Sequence, residues 1–257
     1  MTKPVHMFML AASGVALLAG TLPIAATALS AAPRFTDLRR IEPIHGDAAA
    51  GAQKATVCFA CHGANGVSVA PTFPRLAGQR ADYLYHRLVS FNRADPKDPY
   101  YSKSPMTVMA AKLSDDDMRN LAAYFATQVP QATDVAAAAS ASDRGESLYR
   151  FGDPSNGVPP CQGCHGAEAE GVPVLAVQYA AYPALRGQYA PYIIARLTSF
   201  RQGLPHDSSN DLIMSGIART LDDDAIRAVA AWLSSLMPEK SPMSMPAKRS
   251  GTGVDTK

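Results

Sequence analysis

The sequence has little of several residue types that would mark other kinds of protein. Its 257 residues include four cysteines, one tryptophan and only 18% charged residues, with 24 Lys and Arg against 22 Asp and Glu. A formal net charge of +2 without a basic run argues against nucleic-acid binding. β-Branched runs and alternating strand patterns are also scarce, whereas alanine is abundant. The composition therefore favours an all-α protein.

Long apolar runs are lacking except at the N-terminus. No charged residue lies between Lys3 and Arg34, and this stretch contains the run MFMLAASGVALLAG followed by small residues. A charged start, an apolar middle and Ala-x-Ala sites ending at Ala28 and Ala32 predict an export signal over residues 1–32. The alternative is a retained membrane anchor. We expect an exported protein that touches the membrane only through its partners or an uncleaved N-terminus.

The chain contains an internal repeat with an offset of about 109 residues. PRLAGQRADYLYHRLVSF at 74–91 aligns with PALRGQYAPYIIARLTSF at 183–200. Further on, KLSDDDMRNLAAYFATQ aligns with TLDDDAIRAVAAWLSSL. A unit of about 100 residues is too long for a solenoid module and predicts a duplicated globular domain.

The repeat sets the expected domain boundaries. We predict a first domain over 33–130, an Ala/Ser-rich linker over 131–142 and a second domain over 143–238. The polar segment 239–257 has no apolar period and predicts a disordered tail. The second copy is expected to carry extra residues at 172–183.

Each copy shows helix signals at corresponding places. Ser114 with Asp117 three residues later predicts a helix start, and Asp222 is expected to cap the same helix in the second copy. Apolar residues then recur at helical spacing. The segments ADYLYHRLVSF and APYIIARLTSF are similarly amphipathic.

All four cysteines belong to two pentads, CFACH and CQGCH, that occupy corresponding places in the repeat. A disulfide within each pair would close a very small loop and stabilise little. A dithiol redox centre needs a βαβ context that the pattern lacks. A four-cysteine zinc site would have to join pairs separated by about a hundred residues, far more than zinc ribbons and fingers use. None of these interpretations explains the histidine after each pair.

A covalently bound haem explains all of these positions. On a helix, residues i, i+3 and i+4 share one face, so two sulfurs and one imidazole can meet a single macrocycle. The pentad is the attachment signature of c-type haem. The sequence therefore predicts two c-type haems and their iron. The predicted thioether attachments are Cys58, Cys61, Cys161 and Cys164, and the predicted iron ligands within the pentads are His62 and His165.

The sixth iron ligand is expected to be a methionine, because a His/Met pair closes the iron and raises its potential, as in electron carriers. The first copy offers Met106 and Met109, and the second offers Met214. Aligning Leu113 with Leu221 places Met106 on Met214, so the repeat selects these two. Other methionines are expected to fill the core; they are Met118, Met237, Met243 and Met245.

Residues around the predicted haem sites allow weaker inferences. Pro74 and Pro183 lie where a turn could offer a carbonyl to the second ring nitrogen of the ligating histidine. A plain loop-to-helix turn explains these prolines equally well. Arg75 and Arg186 are candidates for neutralising haem propionates.

The other histidines lack partners in the repeat. His86 aligns with Ala195, and His45 and His206 lie in loop-like stretches. We expect all three to be solvated surface imidazoles.

Taken together, these motifs resemble bacterial di-haem cytochromes c of the cytochrome c-4 type. Each Cys-x-x-Cys-His-Gly is followed by Pro-x-Leu-x-Gly-Gln, Tyr-x-x-x-Arg-Leu-x-Ser-Phe, a methionine, and Leu-(Ser/Asp)-Asp-Asp before a final helix. The resemblance spans about 46–237. It implies two tandem class I cytochrome c domains, in the periplasm, and supports His62/Met106 and His165/Met214 as axial pairs. The chain departs from the pattern at 172–183, at Ala184 and in its polar tail.

The expected function is electron transfer without enzymatic catalysis. Its redox partners would be a dehydrogenase or quinol-oxidising complex as donor and a terminal oxidase or reductase as acceptor. One alternative is the dedicated cytochrome subunit of a periplasmic dehydrogenase. Another is a di-haem peroxidase or gas sensor, which would need an open or His-ligated iron.

Overall fold

The computed structural model describes residues 35–131, 143–172 and 177–236. The predicted export signal, nearly all of the predicted linker, the predicted tail and Met237, Met243 and Met245 therefore lie outside the described residues.

The described chain is built from α-helices and short 3-10 turns. It contains no strand, and its only β features are two isolated bridges, Thr36–Ser208 and Asp153–Val158. This confirms the all-α prediction. The helices are α1 (Ala48–Ala55), α2 (Phe59–His62), α3 (Ala81–Asn92), α4 (Pro105–Ala110), α5 (Asp115–Thr127), α6 (Asp143–Phe151), α7 (Gln162–His165), α8 (Ala190–Arg201), α9 (Ser209–Ala218) and α10 (Asp223–Ser235).

The last helix of each domain begins at the predicted cap. The Ser114 hydroxyl accepts the Asp117 N–H, and the Asp117 carboxylate accepts the Ser114 N–H in return. In the second domain the Asp222 carboxylate accepts the Ala225 N–H at 2.6 Å. Both caps satisfy amide groups that a helix start leaves without partners. These two predictions are confirmed.

The two domains use the same helix packing. In the first, α5 packs against α1 and α3; in the second, α10 packs against α6 and α8. The crossing of α1 with α5 is so close that a Cβ on Gly51 would lie 2.0 Å from the Asn120 carbonyl oxygen. The crossing of α6 with α10 is equally close, because a Cβ on Gly145 would lie 2.1 Å from the Ala228 carbonyl oxygen. A glycine is therefore required at both crossings.

Each domain has an apolar core centred on its last helix. In the first domain this core includes Met118, which is buried between helices as the sequence predicted. In the second domain Trp232 stacks on the fully buried Tyr149 with ring centroids 4.8 Å apart. The predicted amphipathic segments are observed as α3 and α8, and both contribute to these cores.

The second domain also has an insertion that the sequence analysis missed. Cys58 follows Gly51 by seven positions, whereas Cys161 follows Gly145 by sixteen. The added residues form a turn in which Asp153 and Val158 exchange two backbone hydrogen bonds of 2.9 Å. The copies therefore differ before the cysteines as well as after them.

The two domains meet through a reciprocal pair of buried glutamines. The Gln79 side chain accepts the Ala184 N–H at 2.8 Å and donates to the Ala184 carbonyl at 2.9 Å. The Gln188 side chain does the same with the backbone of Arg75, at 3.0 and 3.1 Å. Gln79 aligns with Gln188 and Arg75 with Ala184 in the repeat, so the interface has local two-fold symmetry.

Charged and phenolic groups extend this interface. The Arg87 guanidinium lies 3.8 Å from the Asp211 carboxylate, across the boundary between α3 and α9. The Tyr101 hydroxyl donates to the Asp207 carboxylate at 2.7 Å. These contacts tie the helix of Met214 to the first domain.

Within the described ranges, no helix has the length and apolar character needed to cross a bilayer.

Candidate haem sites

Each pentad forms a single helical turn that ends in a glycine. α2 contains Cys61 and His62, and it is followed by Gly63 with φ of +74°. The second pentad ends in the same way at Gly166, with φ of +85°. A Cβ on Gly63 would lie 2.1 Å from the Val67 carbonyl oxygen, so only glycine fits this turn. The local sequence therefore places two sulfurs and one imidazole within one turn of helix.

A proline carbonyl orients the histidine of each pentad. His62 Nδ1 lies 2.9 Å from the Pro74 carbonyl oxygen, and His165 Nδ1 lies 2.9 Å from that of Pro183. With the proton on Nδ1, that nitrogen donates to the carbonyl and Nε2 keeps its lone pair for a metal. The sequence left open whether Pro74 and Pro183 form plain turns or offer carbonyls to the histidines. The structure shows that their carbonyls orient the two histidines.

Both histidines are buried and neutral. Burial lowers the pKa of His62 and of His165, and the proline carbonyls offset this only in part. A neutral imidazole is the form that binds a metal ion. The electrostatic environment therefore suits an iron ligand.

The cysteines do not fit a redox dithiol or a zinc site. All four are free, and burial raises the pKa of Cys58 and brings that of Cys161 to about 11. The reactive cysteines of a redox dithiol need the opposite shift. Among the described residues, which include all four cysteines, no three His, Cys, Asp or Glu side chains are grouped to hold a metal ion.

The candidate methionines lie on corresponding helices, α4 and α9, which follow α3 and α8. Met106 is in the first turn of α4 and is half-buried, whereas Met109 is 42% exposed on the same helix. Met214 is half-buried within α9. This difference in exposure agrees with the choice of Met106 over Met109, and both axial assignments stay predictions.

Two aromatic rings next to the histidines were missed by the sequence analysis. Phe73 lies 6.1 Å from His62 between ring centroids, and Tyr182 lies 6.0 Å from His165. These residues align in the repeat and directly precede the two prolines. Their conserved spacing from the proline within the chain was the signal that could have identified them.

One histidine prediction is wrong. His86 is not a solvated imidazole: its ring packs 5.0 Å from that of Tyr85, and Nε2 is buried without a hydrogen-bond partner among the described groups. The helical position turns this side chain towards its neighbours, which the repeat alignment could not show. His45 and His206 are exposed, as predicted.

The two candidate arginines are held by protein groups. Arg75 is buried, donates to the Gln131 carbonyl at 2.5 Å and stacks over the Tyr189 ring at 4.5 Å. Arg186 lies 3.7 Å from the Glu168 carboxylate. Their suggested role beside haem propionates stays a prediction.

The residues of each site fit a c-type haem. Two unpaired thiols lie one helical turn apart, and the adjacent buried imidazole has one nitrogen fixed by a carbonyl and the other available to iron. This donor set occurs twice with the same geometry. It matches the needs of two thioether bonds and one axial ligand.

Comparison with known proteins gives the same result. The cytochrome c family model matches residues 48–128 and 143–237. Cytochrome c4 of Azotobacter vinelandii is 40% identical over 195 residues, which cover 74% of this chain and 90% of the relative. The thiosulfate dehydrogenase electron acceptor of Stutzerimonas stutzeri is 35% identical over 184 residues, covering 71% of this chain and 80% of the relative.

A solved structure shows the same likeness. The crystal structure of reduced recombinant cytochrome c4 from Pseudomonas stutzeri is 38% identical, with a TM-score of 0.62, and the match covers 75% of this chain and all of that one. Two c-type haems are therefore the cofactors of this protein. The chain belongs to the cytochrome c family, as a di-haem electron-transfer cytochrome of the cytochrome c4 type.

Proposed function

We propose that this protein is a periplasmic electron carrier whose two haems each have a histidine and a methionine as axial ligands. The duplicated pentad, with its imidazole fixed by a proline carbonyl in both domains, is the observation that carries the proposal. Bound haem supplies an iron that changes between the ferric and ferrous states. The proposed thioether attachments are Cys58, Cys61, Cys161 and Cys164, and the proposed axial pairs are His62/Met106 and His165/Met214.

Electron transfer needs only the haem ligands and the groups that hold them in place. The carbonyls of Pro74 and Pro183 keep each imidazole in one orientation and raise its basicity, which limits movement when the iron changes charge. A methionine sulfur in the sixth position would leave no site for a substrate or gas ligand. The proposal therefore needs no acid, base or nucleophile, and it disfavours the peroxidase and sensor alternatives.

The proposed location rests on the sequence of residues 1–32, which has the features of an export signal. In the periplasm, a dehydrogenase or quinol-oxidising complex would act as electron donor and a terminal oxidase or reductase as acceptor. Brief docking, in which charge sets the encounter rate, is the usual way that such carriers meet their partners.

A second candidate is the dedicated acceptor of one periplasmic dehydrogenase. The Stutzerimonas stutzeri relative is named a thiosulfate dehydrogenase electron acceptor, which favours this candidate. Reduction of the purified protein by a thiosulfate dehydrogenase, compared with reduction by a quinol-oxidising complex at equal concentrations, separates the two candidates. A large preference for the dehydrogenase would support the dedicated acceptor.

The axial assignment is tested by replacing each methionine in the holoprotein. We expect Met106→Ala and Met214→Ala each to abolish the methionine-to-iron absorption of one ferric haem and to lower its potential by on the order of 0.1 V. Optical redox titration measures both effects. Met109→Ala, on the exposed part of the same helix, is the control and should change neither; a loss in that variant instead would reject Met106.

A further inference from the structure

Residues that precede α1 in the first domain pack on the second domain. We name Phe35–Arg40 the N-terminal strap. Within it, the Thr36 N–H donates to the Asp207 carbonyl at 2.8 Å, and the Thr36 carbonyl accepts the Ser209 N–H at 3.0 Å. The Leu38 N–H donates to the Ser209 hydroxyl at 2.9 Å, and the Leu38 side chain is buried. Three hydrogen bonds and one apolar side chain therefore attach the strap.

One side of this attachment is the start of α9, the helix of Met214. Ser208 caps this helix through the Asp211 N–H, and both Ser208 and Ser209 are buried beneath the strap. Since the bonds of the strap go to the backbone and hydroxyl of this first turn, the strap fixes where α9 begins. The position of Met214, one and a half turns further along, follows from that start.

The other side of the attachment is the loop that follows His165 and ends at Pro183. The Leu38–Arg40 turn of the strap packs against the Val177–Tyr179 turn. Within this loop the Tyr179 ring packs 5.4 Å from the Tyr182 ring, which in turn lies 6.0 Å from the His165 ring. The strap thus contacts the segments next to both proposed axial ligands of the second haem.

The loop that the strap contacts is longer than its counterpart in the first domain. Pro74 follows His62 by twelve positions, whereas Pro183 follows His165 by eighteen. The six added residues belong to the loop that the strap contacts. The strap thus packs against a segment in which the second copy departs from the repeat.

We propose that the N-terminal strap is a clamp that holds α9 and the 177–182 loop together and so keeps Met214 on the second iron. Thr36 and Leu38 act as positioning residues, because they act through α9 and the loop and not on the haem. This inference rests on the proposed His165/Met214 ligation. It makes the second haem more resistant than the first to replacement of its methionine by an outside ligand.

The test uses the full-length ferric holoprotein and imidazole as the competing ligand. Leu38→Ala removes the buried side chain, and Thr36→Pro removes the N–H that bonds to Asp207. We expect each change to raise the affinity of the second haem for imidazole about tenfold, the size expected for losing one such contact, and to leave the first haem unchanged. The conservative control is Glu42→Gln, at an exposed position just beyond the strap.

Hydrogen exchange gives a readout that does not depend on haem reactivity. The Ser209 amide, which donates to the Thr36 carbonyl, should exchange faster in both strap variants than in wild type. Faster exchange with unchanged imidazole affinity would overturn the clamp, as would an exported protein whose N-terminus lies beyond Arg40. If the second haem of Met214→Ala keeps its methionine-to-iron absorption, the proposed Met214 ligation fails. This result distinguishes a wrong ligand assignment from a wrong clamp.

Discussion

At the scale of single residues, His86 shows how burial changes the chemistry of an otherwise ordinary side chain. Its ring packs against Tyr85 on α3, and its Nε2 atom is buried without a partner among the described groups. Removal from water disfavours the charged imidazolium and lowers the pKa to about 4. The folded protein therefore holds this histidine neutral at pH values where an unfolded chain would protonate it.

This predicts a pH-dependent contribution to stability. The stability that the neutral His86 imidazole contributes is complete above the unfolded pKa of about 6.5. It is lost as the pH falls through that value towards the folded pKa of about 4. The free energy of unfolding of wild type relative to His86→Ala should fall by up to ~3 kcal/mol over this interval. Urea unfolding of both proteins at several pH values measures the difference.

The matched control is His45→Ala, which removes an exposed imidazole from the same domain. Its unfolding free energy should follow wild type at every pH. A constant offset between wild type and His86→Ala would show that the imidazole is not held neutral in the folded state.

Residues whose role follows from local spacing were predictable, and residues whose role follows from packing were not. The pentads, Ser114 and Asp222 act within one turn of their own helix, so the sequence identified them. His86 depends on what the rest of the domain places around it. The Pro74 carbonyl is intermediate, because its position could be proposed from the sequence but its bond to His62 required the fold.

At the scale of elements, the helix pairs α1–α5 and α6–α10 are set by one glycine each. Gly51 and Gly145 let the backbones approach so closely that a single added Cβ would overlap a carbonyl oxygen. The sequence analysis did not single out these glycines, because a glycine inside a helix usually only weakens it. Aligning Gly51 with Gly145 would also have revealed the insertion before Cys161.

We therefore predict opposite effects for two glycine-to-alanine substitutions. Gly51→Ala should destabilise the protein by about 3 kcal/mol, because the added methyl group forces α1 away from α5. Gly216→Ala, in α9, has no heavy atom within 4 Å of the new Cβ and should be neutral or stabilise by about 0.5 kcal/mol. Thermal unfolding followed by circular dichroism compares them, and equal effects of the two would contradict the close crossing.

At the scale of the whole molecule, the domains are joined by polar groups that leave little freedom of orientation. Gln79 and Gln188 are each 7% exposed, and each makes two bonds to the backbone of the opposite domain. A buried glutamine has this geometry only when both domains keep their relative position. The sequence showed that the two glutamines are repeated, but not that each one bonds to a backbone loop of the opposite domain.

Removing the glutamines should uncouple the domains. Gln188→Ala deletes two buried hydrogen bonds to the Arg75 backbone and a third from the Tyr189 N–H, and it should cost about 2 kcal/mol. The double variant Gln79→Ala/Gln188→Ala should separate the thermal unfolding of the two domains into resolved calorimetric transitions. Each haem should remain bound, since both glutamines lie outside the pentads.

Gln128→Ala is the control for loss of a glutamine inside one domain, where the side chain bonds to the Tyr124 carbonyl of its own helix. It should lower stability slightly without changing the number of transitions. Unaltered coupling in the double variant would mean that the contacts of Arg87 and Tyr101 hold the domains together.

The reciprocal glutamines also carry historical information. Because residue 79 binds the loop of residue 184 while residue 188 binds the loop of residue 75, each half offers the other an equivalent patch. An isologous contact of this kind is what a two-fold homodimer has. Gene duplication and fusion of a one-haem homodimer would leave such an interface within a single chain. The insertion before Cys161 and the longer 177–182 loop are then later asymmetries, through which two once-identical haem sites became separately tunable.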